Sequence, residues 1–338
     1  MQAAYYEGPR KISIRDCQPV DPGENQVQIS MSHCGICGTD LHVYLGDLDH
    51  RIQLPEVIGH EGSGTIAKVG SAVTGFAEGD RVVVMPIMSC GVCPSCVAGN
   101  YHVCHKLKVI GIEAPGAMQA RWTVPANLLF RIPEALSLKH AALIEPAAVA
   151  CHDIRVAQLQ AGEYAVVLGG GPIGALIALV AQYKGARVVV SEINPFRIRM
   201  LRDLGLDVVN PRETDLKAHV FAATGGAGGD VVFEVTGVAP GAEMMTEVAK
   251  CRGRLIVVGV FAKPAPVNLY RIFQRELQIA GARVYQREDF DEALAILAVN
   301  GVPAEALITD VLPLERLQYG LDQMASGGQV MKILMECN

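Results

Sequence analysis

Cysteine, histidine and acidic residues cluster in three places along this sequence, and each cluster offers donors that a transition metal accepts. The first runs His33-Cys34-Gly35-Ile36-Cys37-Gly38-Thr39-Asp40-Leu41-His42 and is followed by Gly59-His60-Glu61-Gly62-Ser63-Gly64. A thiolate, an imidazole and carboxylates suit Zn²⁺. Cys34 and Cys37 are also spaced as a redox pair, but such a pair opens a helix in a βαβ context, and here a strand end and glycine surround it. His60 and Glu61 are neighbours, so they cannot form the helical zincin motif, which needs a second His four residues on. A strand-to-strand turn fits them better.

The second cluster, Cys90-x2-Cys93-x2-Cys96-x7-Cys104, is the most specific metal signal in the chain. Four thiolates make a closed tetrahedral shell, which suits structural zinc. A bacterial ferredoxin run would place three residues and then Cys-Pro at the end; seven residues intervene here, and His105 follows. A closed shell leaves no open position, so this ion would hold structure and do no chemistry. The third cluster is Glu145-Pro146. Proline is tolerated at a first helical position, which puts Glu145 at the cap of a helix from Ala147 to Leu159. Glu145 is then either a cap, a role for which Glu is poorly suited, or a carboxylate aimed at a metal.

A different chemistry is written in Gly169-Gly170-Gly171-Pro172-Ile173-Gly174. The apolar run Tyr164–Leu168 before it reads as a buried strand, Ala175–Tyr183 after it as a helix, and Arg187–Ser191 as a second strand ending at Glu192. Gly169 permits the turn, Gly171 lets backbone approach a pyrophosphate, and Gly174 lets the helix sit close to the strand. Free N–H groups at the helix start, around Pro172 and Ile173, suit a diphosphate. Glu192 is either a solvated strand-end acid or an acceptor for a ribose hydroxyl pair. In the second role it favours NAD over NADP, whose 2′-phosphate it would repel; Arg197 pulls the other way, since a nearby Arg can neutralise that phosphate.

The elements that must position these residues fall into two kinds. Ala3–Tyr6, Lys11–Arg15 and Gln26–Met31 read as short strands between Pro/Gly turns, a pattern of compact β-barrel-like units. After Glu192 an αβ rhythm continues: helices at Phe196–Gly205, Leu216–Thr224 and Glu243–Cys251, strands at Asp207–Asn210, Asp230–Val235, Arg254–Val260 and Leu277–Ala280. Alternating helices and apolar strands mean a doubly wound parallel sheet. Phe290–Val299 reads as a helix, and Gly327–Met335 as a turn and final strand.

At 338 residues the chain is too long for one ordinary core, so two domains are expected. Half of it is hydrophobic and its net charge is −6, which favours neither nucleic acid nor an anionic membrane as partner. Ala165–Ala181 is apolar enough for a membrane span, but its glycines, its proline and its fit to strand-turn-helix argue against one. Ten cysteines without a visible secretory signal suggest thiols and metal sites rather than disulfides, and a cytoplasmic setting.

Together these residues resemble the zinc-dependent medium-chain dehydrogenase/reductase family over nearly the whole chain. Gly59-His60-Glu61-x2-Gly64-x5-Gly70-x2-Val73 is similar to its zinc signature and Cys90–Cys104 to its structural-zinc loop, while Glu145-Pro146 resembles the sorbitol, butanediol and threonine dehydrogenase branch. The resemblance implies an α/β protein. A GroES-like β-barrel catalytic domain (residues 1–150 and 286–338, with the zinc lobe at 89–105) is interrupted by a Rossmann coenzyme domain (151–285). It implies two Zn²⁺ per subunit, one catalytic and one structural, and NAD. Cys37 and His60 carry over as ligands, with Glu61 and Glu145 as interchangeable or water-mediated ligands. Thr39 corresponds to the hydroxyl that shuttles the substrate proton, and His42 to the histidine that passes it toward solvent. Cys34 matches no family ligand. The implied reaction takes a secondary alcohol (a polyol, diol or hydroxy-amino acid) to its ketone, in a homodimer or homotetramer. An NADPH-dependent carbonyl reductase and a catalytically silent relative are the alternatives. Two stretches depart from the family, Ala117–Trp122 and Gly281–Tyr285, the latter from the sorbitol dehydrogenases in particular.

Overall fold

The computed structural model describes residues 1–338. The chain divides into two compact units, Met1–Glu145 with Gln286–Asn338, and Pro146–Tyr285.

The first unit is built on a seven-stranded sheet. Its path runs Leu129–Arg131, Arg81–Val84, Glu61–Val69, Gln26–Gly35, Lys332–Glu336 and Ile308–Pro313, with Arg121–Pro125 also pairing to Gln26–Gly35. The strand Gln26–Gly35 is central: Glu61–Val69 lies antiparallel on one side, and the carboxyl-terminal Lys332–Glu336 antiparallel on the other. A smaller sheet joins Lys11–Asp16, Gln2–Gly8 and Glu56–Val57. Tyr6, Ile29, Met31, Ile66, Trp122 and Met335 fill the core between them, all at most 2% exposed. Burying such side chains contributes roughly 1.5–3 kcal/mol each before entropy is counted. The amino-terminal strands anticipated from the Pro/Gly spacing are present as Gln2–Gly8, Lys11–Asp16 and Gln26–Gly35, each longer than expected.

The second unit holds a six-stranded parallel sheet. In chain order its elements are β1 (Tyr164–Leu168), α1 (Pro172–Tyr183), β2 (Arg187–Ser191), α2 (Pro195–Asp203), β3 (Asp207–Val209), α3 (Leu216–Ala223), β4 (Gly229–Glu234), α4 (Ala239–Val248), β5 (Ala249–Val257), α5 (Leu269–Arg275) and β6 (Gln278–Gly281). The strand order is β3-β2-β1-β4-β5-β6, the doubly wound order of dinucleotide-binding sheets, with the switch point between β1 and β4. All five residues of β1 are buried, as expected for a strand covered on both faces.

Several helices begin earlier than the sequence suggests, by one to four residues. The helix expected from Ala147 runs Ile144–Ala157, so Glu145 lies inside its first turn and is not its cap. Pro146 does not stop it, because a first-turn residue has no intrahelical acceptor for the N–H that proline lacks. For the same reason α4 starts at Ala239, ahead of Pro240, and ends at Val248, which leaves Cys251 in β5. No helix is long and apolar enough to cross a membrane; the apolar stretch Ala165–Ala181 is β1, the glycine turn and part of α1.

Candidate metal centre and nucleotide-binding turn

Cys37, His60 and Glu61 come together in the first unit, their ligand atoms all within 4.8 Å of one another. Chain pairing explains the meeting. Gly35 ends the central strand and pairs with Glu61, the first residue of the next. Two residues past Gly35, Cys37 sits at the N-cap of a helix, Gly38–Leu45. The Cys37 N–H donates to Asp40 Oδ2 at 2.8 Å.

The donors are poised for a partner that the protein itself does not supply. Glu61 Oε1 is shut off from water and has no hydrogen-bond partner, and Glu61 Oε2 has only its ion pair with Lys332. Orphaned buried polar atoms are costly. A thiolate, an imidazole and a carboxylate gathered in this way fit zinc. His60 Nδ1 lies 3.5 Å from Asp40 Oδ1, the carboxylate–histidine arrangement that orients a metal-ligating ring. Burial disfavours the imidazolium of His60, but Asp40 and Cys37 outweigh that and hold its pKa well above the ordinary value.

Lys332 crosses from the carboxyl-terminal strand to this cluster. Burial pushes its pKa down, yet the charges of Glu61, Cys37 and Glu145 raise it overall. Its Nζ also donates to the Ile36 carbonyl at 3.1 Å. Glu145 is therefore electrostatically part of the cluster, and it is 8% exposed, although its ligand atom lies outside the group formed by Cys37, His60 and Glu61. Thr39 Oγ1 lies 3.8 Å from Cys37 Sγ. His42, one helical turn on, is exposed, and its Nδ1 pairs with Asp47 Oδ2 at 2.8 Å.

Cys90, Cys93, Cys96 and Cys104 form the second donor group. Cys93 Sγ lies 3.5 Å from Cys96 Sγ and 3.8 Å from Cys104 Sγ. Zn–S bonds of about 2.3 Å at tetrahedral angles give an S···S edge of about 3.8 Å, so the four thiols are spaced for one ion. None of the ten cysteines is in a disulfide. Backbone N–H groups of His105 and Cys96 hold the Cys93 thiol down to about 6.

The glycine turn lies at the carboxyl end of β1. Gly169 has φ +102°, and a Cβ on Gly174 would collide with the Gly169 carbonyl, so glycine lets α1 start hard against the strand. Gly171 is the N-cap of α1, with no side chain capping it. Glu192 follows the last residue of β2 and is 7% exposed. Its Oε2 accepts from Gly170 N at 2.9 Å, and its Oε1 from Ile193 N at 2.6 Å and Asn194 N at 2.8 Å. The carboxylate is thus fixed beside the turn. An Arg197 nitrogen lies 3.5 Å from where a Gly171 Cβ would stand.

Asp40 and Lys332 escaped the sequence reading. Asp40 carried a faint signal as an acid three residues beyond a cysteine at a helix start, the position of a capping-box acid. Lys332 carried none, since nothing local ties it to Glu61.

Family models match two stretches of the chain: an alcohol dehydrogenase GroES-like domain over residues 23–134, and a zinc-binding dehydrogenase domain over 172–299. The chain is 45% identical over 338 residues to a 2-dehydro-3-deoxy-L-galactonate 5-dehydrogenase from Pseudoalteromonas atlantica, covering 100% of this chain and 99% of that protein. It is 31% identical to a sorbitol dehydrogenase from Halalkalibacterium halodurans, covering 97% and 96%. The solved structure of 2R,3R-butanediol dehydrogenase from Bacillus subtilis superposes with a TM-score of 0.92 at 30% identity, covering 100% and 99%.

Proposed function

The chain belongs to the zinc-dependent medium-chain dehydrogenase/reductase family, in the branch that includes sorbitol dehydrogenase, and from that premise we propose an NAD-dependent enzyme interconverting a secondary alcohol and its ketone on a polyhydroxylated acid. The observation that carries the reading is the meeting of Cys37, His60 and Glu61 in one donor group. Full-length identity of 45% to a dehydrogenase of a deoxy sugar acid, against 31% to a sorbitol dehydrogenase, favours the acid over the plain polyol.

Cys37, His60 and a carboxylate from Glu61 or Glu145 would hold the catalytic ion, and the four lobe cysteines a second, structural one. Bound zinc polarises an alcohol oxygen and lowers the pKa of its hydroxyl. Thr39 accepts the substrate proton at Oγ1. His42 stands three residues on, so it shares a helix face with Thr39, and it exchanges that proton with solvent through Nε2 while Asp47 engages Nδ1. Asp40 orients His60, and Lys332 balances the negative charge of Glu61, Cys37 and Glu145.

The N–H groups at the start of α1 take the dinucleotide diphosphate, with Gly169, Gly171, Pro172, Ile173 and Gly174 shaping the approach. Glu192, fixed by three N–H groups, receives the adenosine ribose hydroxyls and disfavours a 2′-phosphate. Arg197 beside Gly171 is the one feature favouring NADP, and with it the carbonyl-reductase reading. A second copy of the chain covers the open edge at β6, where Ile279 is 48% exposed and α5 exposes Leu269, Tyr270 and Phe273. A cytoplasmic setting keeps both thiolate sets reduced.

A panel of sugar acids, polyols, diols and amino alcohols with NAD⁺ and with NADP⁺, followed at the absorbance of the reduced nicotinamide, tests this. The reading predicts turnover with a sugar acid and NAD⁺. A clear preference for NADP⁺ removes the role given to Glu192, and turnover restricted to plain diols or amino alcohols removes the acid.

A further inference from the structure

The loops after β1 and β4 meet at the switch point of the parallel sheet. A Cβ on Gly169 would stand 3.0 Å from Thr236 Cγ2 and 3.5 Å from the Val235 carbonyl carbon. The segment Val235–Val238 is thus the wall facing the glycine turn. It is also the entrance to α4, and its N–H groups precede a helix just as those of Gly171 do on the other side. Both entrances could attract an anion.

Each already has a carboxylate just ahead of it: Glu192 accepts from Gly170 N before α1, and Glu234 holds the turn before α4. Glu234, the last residue of β4, is 0% exposed. Its Oε1 accepts from Thr236 N at 2.9 Å and from the Thr236 hydroxyl, and its Oε2 from Gly237 N at 3.2 Å. Thr236 Oγ1 in turn accepts from Val238 N at 3.3 Å. The Glu234 carbonyl accepts from Val258 N at 2.9 Å and Gly259 N at 2.8 Å, tying in the segment after β5. Glycine surrounds the carboxylate so closely that a Cβ on Gly259 would lie 2.6 Å from Oε2, and one on Gly241 would collide with Oε1. This buried acid has no part in the reaction proposed above. A carboxylate bonded to main-chain and hydroxyl donors in this way holds a loop in one conformation.

We propose that Glu234 is a positioning residue for the dinucleotide: its carboxylate takes up the N–H groups of Thr236 and Gly237 and fixes Val235–Val238 as the wall opposite Gly169. This rests on the dinucleotide reading given under the proposed function. With that wall held in one conformation, the space beside the glycine turn keeps one shape for the cofactor. Gln at 234 would keep the shape, but it would aim an N–H₂ at the Thr236 or Gly237 donor. The loop would loosen, and the wall beside the glycine turn with it.

The test is NADH binding to the zinc-loaded protein, read by the change in NADH emission, for wild type, Glu234→Gln and Thr236→Val, with zinc content and melting temperature measured alongside. Thr236→Val keeps the Cγ2 contact with the glycine turn and removes only the hydroxyl. In Glu234→Gln, we expect the Kd for NADH to rise about tenfold or more at a temperature where the variant is fully folded, with zinc content unchanged. Thr236→Val should move the Kd in the same direction by a smaller factor. A merely structural role would lower the melting temperature and leave the Kd of the folded protein alone, and that result overturns the proposal. If Glu234→Gln does not fold, Thr236→Val decides, and a wild-type Kd there overturns it. If wild type binds neither NADH nor NADPH, the dinucleotide reading itself fails and takes this proposal with it.

Discussion

Lys332 Nζ is ion-paired to Glu61 Oε2 directly over Gly35, with the two side chains 4% and 1% exposed. Three strands make this possible. Gly35 pairs with Glu61 on one side and with Leu334 on the other. A Cβ on Gly35 would lie 2.9 Å from Lys332 Cε and would collide with the Glu61 carboxylate, so glycine opens the space in which the charges meet. The return of the carboxyl-terminal strand thus supplies a buried ammonium to a cluster of acids and thiols.

Replacing Lys332 by Met should therefore be costly. It leaves the buried Glu61 carboxylate without a counter-charge, a loss of about 3 kcal/mol or more. Denaturant unfolding of the Lys332→Met protein should show a lower midpoint than wild type. An unchanged midpoint would mean that Glu61 does not depend on Lys332.

Thr39→Ala should separate proton transfer from metal binding. Thr39 stands beside the Cys37 donor without being one of the three grouped ligands. Turnover should fall by 10²-fold or more, the usual scale for a lost general acid–base group being about 10²–10⁴, while zinc per chain holds. Undiminished turnover would remove Thr39 from the proton path.

For the lobe, Cys93→Ser should lower bound zinc by one ion per chain and reduce thermal stability, because structural zinc contributes directly to folding. Elemental analysis beside a melting curve checks both. Full zinc content in the variant would show that the lobe thiols do not share an ion.

The coenzyme unit offers a pH test of its own. Burial pushes the Asp230 carboxyl up, but the Lys250 ammonium, the Tyr164 N–H and the Arg254 charge pull it further down, below its ordinary 3.8. A depressed folded value means that the stabilisation is present above the ordinary value and is lost as pH falls through the folded one. Asp230→Asn should thus lower the unfolding midpoint at neutral pH, by about 1 kcal/mol, and the gap to wild type should close below about pH 3.8. A gap that stays constant with pH would contradict the assignment.

Local chemistry was legible in the sequence, and long-range pairing was not. The spacing of Cys90, Cys93, Cys96 and Cys104 encodes a tetrahedral shell because a short loop can close on one ion, and the thiols do gather. The turn from Gly169 to Gly174 was equally readable, since its glycines answer to steric demands set within a few residues. Lys332 could not be seen, because it meets Glu61 only through strand pairing across most of the chain. The starts of the helices at Ile144 and Ala239 were misplaced for another reason. Proline marks a first turn without saying which residue of that turn it occupies.

The account stands or falls on an alcohol being oxidised at a metal held by Cys37 and His60. The most direct measurement compares wild type with Cys37→Ser for zinc per chain and for sugar-acid-dependent reduction of NAD⁺. The account predicts two zinc ions and turnover in wild type. In the variant it predicts one zinc ion, turnover lower by 10²-fold or more, and NADH binding retained. Wild-type turnover in a Cys37→Ser protein that has lost an ion would contradict it.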